Sequence, residues 1–260
     1  QRLTRLRDLL GHFRTTVFSP DDLTLVKGSP GERRTWLDDL LVDLHPRNHG
    51  LRVEVDRVLR QRNALLKQAR GRLTPDVEAT LEVWDAKLAK VGEALAAART
   101  EALVALEPLA AVVSDRLTSG RSTLTATPVA DWTAEGLAAA LHRVRDDDLR
   151  RGMTTVGPQR DDVKLTLDGM PARTHASQGE QRSVALALRL AGHRLVAERT
   201  GTSPMVLLDD VFSELDRERA EALVSLVPDA QVVVTAAAAV PDSVRFDAVM
   251  DLVVGSGVDG

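Results

Sequence analysis

Two adjacent aspartates, Asp209 and Asp210, follow four apolar residues in the segment PMVLLDDVFSELD, which covers residues 204 to 216. Like charges at the end of a buried strand cost free energy unless a cation or hydrogen-bond donors face them. Ligands of parallel sheets bind beyond the carboxyl ends of the strands, where a carboxylate can hold Mg²⁺ against nucleotide phosphates. The segment therefore indicates a Walker B arrangement, with Asp209 on the metal and Asp210 polarising the attacking water. The alternative is a strand end whose aspartates cap a turn.

A second segment with chemical potential is HASQGEQRSVALALRL, residues 175 to 190. Ser177 and Glu180 have the spacing of a capping box. In this motif the serine side chain accepts a hydrogen bond from the backbone N–H of the glutamate, and the glutamate side chain accepts one from the backbone N–H of the serine. Gly179 weakens a first helical turn by up to about 1 kcal/mol, so we expect a large group to approach the backbone there. The free amides at a helix start also bind anions.

Strands and helices that position these segments alternate along the second half of the chain, which predicts a parallel sheet covered by helices. The runs MVLL and VVV are typical of strands buried on both faces. We predict strands over TTVF, KLTLDGM, MVLLD and QVVVTA, and helices over 177–199, 217–227 and the segment TAEGLAAALHRVRDDDLRRG. The Ser/Thr/Gly-rich stretch SGRSTLTATP separates this part from the preceding helices.

Residues 36–117 are predicted to be entirely helical. A stripe of Trp36, Leu37, Leu40, Leu41 and Leu44 ends at Pro46. A second amphipathic helix covers VEVDRVLRQRNALLKQA. From Pro75 to Leu106 apolar residues recur every three or four positions, as in a seam between packed helices, and Pro108 is expected to kink or end that helix near Glu107.

The composition is that of a globular protein of 260 residues, with 43% hydrophobic and 28% charged residues and no cysteine. Disulfides and thiolate metal sites are thereby excluded, and no apolar run approaches the roughly 18 residues of a membrane span. We expect a cytoplasmic protein. Residues 1–75 carry 15 Lys and Arg against 9 Asp and Glu, and the remainder carries 19 against 29. The basic first third either faces nucleic acid or is a solvated surface.

Several blocks in the same order closely resemble the RecF family of bacterial DNA repair proteins, whose ATPase head is of the ABC type. These blocks are FSPDDLTLVKGSPGERRTWLDDLL, RVLRQRNALLK, TTVGPQRDD, SQGEQ, PMVLLDDVFSELD and QVVVTA. The resemblance implies an α/β fold: the C-terminal half of an ABC-type head with a parallel sheet, plus an inserted helical arm. It divides the chain into a remnant of the N-terminal ATPase lobe at 1–35, the helical arm at 36–120 and the C-terminal ATPase half at 121–260.

The resemblance also implies roles for individual residues around ATP and Mg²⁺. The signature loop, which contacts the γ-phosphate bound by the opposite subunit, would contain Ser177, Gly179 and Glu180. A D-loop across the same interface would contain Ser213, Glu214, Leu215 and Asp216. Thr235 stands where many ABC proteins have a switch histidine, and Gln159 and Gln178 stand where histidine is more usual in the family.

The P-loop motif GxxxxGK[ST] occurs nowhere in this sequence, and GSPGERR lacks its lysine and hydroxyl. The chain also begins at Gln1, within an amphipathic pattern. We expect a fragment that does not hydrolyse ATP alone. It would supply the half of an active site that acts on the nucleotide bound by the other subunit of a dimer.

Candidates for DNA phosphate contacts are Arg33, Arg34, Arg57, Arg60 and Lys67. Arg57, Arg60 and Lys67 can share one helix face; the alternative is an ordinary solvated face. Because aromatic residues make up only 3% of the chain, electrostatic contact with duplex DNA would outweigh base stacking.

The family resemblance leads to one principal hypothesis and two alternatives. The principal hypothesis is a DNA-binding protein of recombinational repair and replication restart, a weak DNA-dependent ATPase in full-length form. It would dimerise on ATP, clasp duplex DNA at gaps or at single/double-strand junctions, and help to load a recombinase with mediator proteins similar to RecR and RecO. The alternatives are a nucleotide-free structural or adaptor module and a different ATPase head, as in chromosome-organising or double-strand-break proteins.

Overall fold

The computed structural model describes residues 13–227, 230–237 and 240–250, with only the backbone of Glu214. The first part of the predicted N-terminal segment, residues 1–12, therefore lies outside the described residues. The described helices are α1 Thr24–Lys27, α2 Pro30–Leu44, α3 Asn48–Ala69, α4 Pro75–Thr118, α5 Leu137–Arg143, α6 Arg145–Arg151, α7 Ala172–His175, α8 Gln178–Thr200 and α9 Arg217–Leu226. The described strands are β1 Thr15–Phe18, β2 Leu124–Val129, β3 Asp162–Leu167, β4 Met170–Pro171, β5 Met205–Asp209 and β6 Val232–Thr235.

The strands form two sheets of different kinds. β1, β5 and β6 form a parallel sheet in the order β1-β5-β6, as predicted from the alternation of strands and helices. β2, β3 and β4 form an antiparallel sheet, in which Asp168 and Gly169 make the turn between β3 and β4 with positive φ angles of 51° and 77°. That Asp-Gly turn was predicted. β2 was not, because its threonines and proline are more typical of a linker.

Helix α4 is the longest element of the described chain and runs through Pro108 to Thr118. Of the two outcomes expected at Pro108, a kink or an end near Glu107, the end is wrong. Proline removes one N–H donor, and burial of Leu103, Leu106 and Ala110 on either side supports the helix across this point. Thr74 caps its start, where its hydroxyl accepts a hydrogen bond from the N–H of Val77.

One large hydrophobic core joins the helical segment to the two sheets. α4 packs along α8, α3 and β2, and the apolar side chains of α2 predicted to form a stripe (Trp36, Leu37, Leu40, Leu41, Leu44) are all buried in this core. The helices of 30–118 thus share a core with the C-terminal half. The three-segment division of the chain stays a prediction.

Two further expectations about the elements are corrected by the structure. The single helix expected before Gly152 is two short helices, α5 and α6, separated at Val144; Gly152 ends the second with a φ of 64°. The run VVV in β6 is not buried on both faces, because Val232 is 38% and Val233 44% exposed. Among the described residues, no strand pairs with the second edge of β6.

Candidate functional site: the carboxyl edge of the parallel sheet

The two aspartates lie at the carboxyl edge of the parallel sheet, as their sequence context predicts. β5 is the central strand, with Leu208 opposite Phe18 of β1 and Asp209 opposite Thr235 of β6. Because the three strands are parallel, their last residues meet at one edge, where backbone ladders end and side chains are free to face a ligand.

Asp209 is exposed at this edge, and one hydrogen-bond donor among the described residues reaches its carboxylate. The hydroxyl Oγ1 of Thr235 donates to Oδ1 of Asp209 at 2.5 Å. Oδ2 accepts no hydrogen bond from the residues that the structure describes. One carboxylate oxygen of Asp209 is therefore held in place while the other is open to solvent.

Asp210 is half-buried and has the left-handed backbone conformation, with a φ of 48°. Its backbone N–H donates to the carbonyl oxygen of Thr235 at 3.0 Å. Its Oδ2 accepts from the Ser213 hydroxyl at 3.0 Å, and its Oδ1 accepts from the N–H of Ala237 at 3.2 Å. These hydrogen bonds hold the carboxylate of Asp210 at the carboxyl edge of the parallel sheet, where the chain leaves the direction of β5.

Thr235 is the last residue of the neighbouring strand β6, at the position where many ABC proteins have a switch histidine. Its hydroxyl is committed to Asp209. The side chain thus orients the first aspartate, a function that a hydroxyl donor can perform without titrating.

The start of α8 forms the predicted capping box. Oε2 of Glu180 accepts from both the N–H and the hydroxyl of Ser177, each at 2.7 Å, and the N–H of Glu180 donates to the Ser177 hydroxyl at 3.3 Å. The hydrogen bond from the Ser177 hydroxyl is the main reason why the pKa of Glu180 lies below its ordinary value.

The start of α9 lies beside the start of α8. Asp216 caps α9 by accepting from the N–H of Arg219 at 2.9 Å, and the guanidinium of Arg219 pairs with the same carboxylate. That backbone hydrogen bond is the first cause that lowers the pKa of Asp216. Ser213 belongs to the 3₁₀ turn between the two aspartates and Asp216, and its hydroxyl also donates to the carbonyl of Asp210 at 2.8 Å. The predicted D-loop therefore connects Asp210 to the start of α9.

Gly179 has the close neighbour that its position in a first helical turn predicted. An ideal Cβ at Gly179 would lie 3.2 Å from Nη1 and 3.5 Å from Cζ of Arg219. The large group that approaches the backbone is therefore a side chain of the same molecule.

The donor set at the sheet edge fits a Mg²⁺ ion that also binds phosphate. Magnesium usually takes one or two protein carboxylates and completes its shell with water and substrate phosphates. Asp209 offers an exposed carboxylate of this kind. Within the described ranges, no group of three or more His, Asp or Glu side chains is arranged to bind a metal ion by itself. The residues present therefore suit a shared metal and not an all-protein cage.

Comparison with known proteins assigns the chain to a family. No protein-family model matches. The DNA replication and repair protein RecF of Streptomyces avermitilis is 46% identical over 248 residues, covering 90% of this chain and 66% of that protein. RecF of Arthrobacter sp. FB24 is 41% identical over 295 residues, covering 98% of this chain and 73% of that protein. The chain belongs to the RecF family. It spans about two thirds of the length of these relatives.

Solved RecF structures share the fold. A structure of the recombination mediator protein RecF with ATPγS in the RecFOR pathway superimposes with a TM-score of 0.81 and 28% identity, covering 91% of this chain and 66% of that one. The RecF–ATP structure gives a TM-score of 0.80 with 29% identity, over 92% of this chain and 65% of that one. The resemblance to RecF ATPase heads that the motifs indicated is confirmed.

Two of the predicted DNA contacts of this RecF-family chain are used inside the protein. Arg33 is buried and donates to both carboxylate oxygens of Asp162, at 2.7 and 3.0 Å. Because its donors are satisfied internally, Arg33 is poorly suited to contact an external phosphate, and its role in binding DNA stays a prediction. Arg34 is half-buried and donates to the carbonyl of Asp161 at 2.6 Å; burial, followed by the charge of Arg99, lowers its pKa. It too serves to anchor the loop before β3.

The other three candidates lie on the solvent face of α3. Arg57, Arg60 and Lys67 are all exposed. Arg57 pairs with Glu54 at 2.6 Å, which leaves Arg60 and Lys67 as the better candidates for contact with an external anion. Their role in binding DNA stays a prediction.

Sequence reasoning missed Arg219, the residue that joins the starts of α8 and α9. It stands three residues after Asp216, near the start of the predicted helix over 217–227, where an aspartate of this kind can cap the helix. No motif links it to Gly179, which is 40 positions away along the chain.

Among the described residues no helix has the length and apolar character needed to cross a membrane.

Proposed function

We propose that this chain is part of an ATP-dependent DNA-binding protein of recombinational repair and replication restart. The single observation that carries the proposal is the carboxyl edge of the parallel sheet. There, the hydroxyl of Thr235 holds one carboxylate oxygen of Asp209 and leaves the other exposed. The carboxylate of the adjacent Asp210 is held by hydrogen bonds from Ser213 and Ala237. Support also comes from the RecF relatives, whose names place them in DNA replication and repair.

In this proposal each residue has a defined task at the nucleotide. Asp209 ligates a Mg²⁺ ion, which supplies charge neutralisation at the phosphates. Asp210 accepts a hydrogen bond from the water that attacks the γ-phosphate, in a geometry set by its own donors. Thr235 keeps Asp209 oriented, in place of a titrating histidine.

The signature and D-loop residues act on the nucleotide of a second subunit. Ser177, Gly179 and Glu180 open α8, whose first-turn amides and helix dipole favour a phosphate group. Ser213 and Asp216 border the same end of the molecule. Binding of ATP between two heads therefore favours a homodimer, because each head contributes one face of each site.

DNA is the proposed ligand of the dimer, bound as duplex at a gap or at a single/double-strand junction. Arg60 and Lys67 are exposed cations on one face of α3 and suit sequence-independent contact with phosphates. Loading of a recombinase with RecR- and RecO-like partners, in the cytoplasm, completes the proposal and rests on the RecFOR pathway named for the solved relatives.

The test uses the complete gene product and the variants Asp210→Asn and Asp209→Asn. ATP hydrolysis should fall by about 100-fold in Asp210→Asn, the lower end of the range for loss of a general base, while ATP-dependent dimerisation persists. Asp209→Asn should lose the Mg²⁺ dependence of nucleotide binding. Asp115→Asn, an exposed carboxylate on α4, is the matched control.

The same preparations are titrated with gapped duplex DNA, followed by fluorescence anisotropy with and without ATP. Replacing both Arg60 and Lys67 by alanine should lower the slope of log affinity against log salt by about 1 to 2. Undiminished hydrolysis in Asp210→Asn would exclude its proposed role, and ATP-independent DNA binding would favour the structural or adaptor alternative.

A further inference from the structure

Arg219 is held in place by the residue that caps its own helix. Its N–H and its guanidinium both donate to the carboxylate of Asp216. The side chain is only 22% exposed, and its Nε is buried without a hydrogen-bond partner in the described part of the chain. Hydrogen bonding alone therefore does not explain where the guanidinium lies.

The second contact of Arg219 is with the start of α8. The guanidinium lies against Gly179, where three of its atoms fall within 3.5 Å of an ideal Cβ. Its charge also contributes to the lowered pKa of Glu180, after the hydrogen bonds from Ser177. A methyl group at position 179 would require the guanidinium to shift by a few tenths of an ångström, so glycine and arginine fit closely together.

One cation thus bridges two helix starts that come from distant parts of the sequence. We propose that Arg219 is a positioning residue that fixes the start of α8 and the D-loop in a single relative geometry, so that both meet the nucleotide of a second subunit together. The inference rests on the proposed function and deepens it. Arg219 itself contacts no reacting group.

The experiment is a double-mutant cycle between Gly179 and Arg219 in the complete gene product. Arg219→Ala should weaken ATP-dependent dimerisation, measured by sedimentation, by about tenfold, within the range found for residues in one network. Gly179→Ala should also weaken it, because the new methyl group pushes the guanidinium away. In the double variant the two losses should overlap and not multiply, since the methyl group then meets no guanidinium.

Two further variants separate positioning from simple loss of charge or fold. Arg219→Lys keeps a cation near Asp216 but has no planar group to lie on Gly179, so it should restore less than half of the lost affinity. Arg217→Ala is the matched control, because Arg217 lies on the same helix, is 89% exposed and pairs with Glu221 of that helix. Its dimerisation should equal that of the parent protein.

A second readout needs no nucleotide. Amide hydrogen exchange of residues 177–183 should accelerate several-fold in Arg219→Ala, while exchange in the β2–β3 pair is unchanged. If exchange and dimerisation both match the parent, or if the two single losses simply multiply, the positioning role is excluded. Should the parent show no ATP-dependent dimer, the proposed function fails, and exchange alone still decides whether Arg219 couples the two helix starts.

Discussion

At the scale of single residues, the carboxyl group of Asp43 has a strongly displaced acid–base equilibrium. Burial near the end of α2 raises its pKa from 3.8 to about 6, against the opposing charge of Arg14 and with a smaller contribution from Asp39. Arg14 donates to the backbone carbonyl of Asp43 and not to its carboxylate. Within the described residues, no hydrogen-bond donor reaches the carboxylate of Asp43.

This displacement predicts how stability changes with pH. Between about pH 4 and 6 the folded state binds more protons at Asp43 than the unfolded state does, so stability falls as pH rises through that window. Asp43→Asn removes the cost of the buried charge. We expect the free energy of unfolding of the variant to exceed that of the parent by about 1–2 kcal/mol at pH 7.5, after allowance for solvent screening. At pH 4.5 the difference should be smaller.

Urea unfolding at the two pH values measures this difference, with Asp115→Asn as the exposed control. An equal gain at both pH values would show that the asparagine acts through packing or hydrogen bonding and not through the charge of Asp43.

At the scale of elements, a buried ion-pair network joins helices α3, α4 and α6. Arg62 is 0% exposed and donates to Asp85 on α4 and Asp148 on α6, each at 2.6 Å, and to the hydroxyl of Thr154. Arg145 reaches Asp85 from the other side at 3.3 Å. Removal of Arg62 leaves the buried carboxylate of Asp148 without a cationic partner among the described residues, which costs far more than loss of an exposed pair.

Arg62→Met should therefore destabilise the protein by about 3–5 kcal/mol, measured by urea unfolding at neutral pH. Arg143→Ala is the control, because the pair of Arg143 with Glu135 lies in solvent, and its midpoint should stay close to that of the parent. A midpoint for Arg62→Met similar to that of the control would mean that water or rearranged neighbours satisfy Asp85 and Asp148.

These elements show which features the sequence could predict. The capping box at Ser177, the Asp-Gly turn and the strand ending at Asp209 depend on neighbours within a few positions, and the sequence predicted them all. The bond between Arg62 and Asp148 spans 86 positions, and the Arg33–Asp162 pair spans 129. Nothing local distinguishes such buried arginines from solvated ones, and Arg33 therefore has the same sequence signature as an arginine that contacts DNA.

At the scale of the whole molecule, the parallel sheet has an open edge and an incompletely covered face. β6 pairs only with β5 among the described residues, and its Val232 and Val233 are 38% and 44% exposed. An apolar edge strand of this kind is a template for pairing with another chain. The sheet that carries Asp209 and Thr235 is therefore also a surface prone to self-association when this chain is prepared alone.

A charge on β6 should suppress that association without harming the fold. For Val233→Lys we expect the concentration-dependent increase in apparent mass, measured by light scattering of this 260-residue chain, to fall at least several-fold, because a lysine on an edge strand opposes strand pairing. Val104→Lys is the control: Val104 is 66% exposed, but on helix α4, where no sheet edge is available. If both lysines reduce association equally, the cause is net charge, and if neither does, the chain associates through another surface.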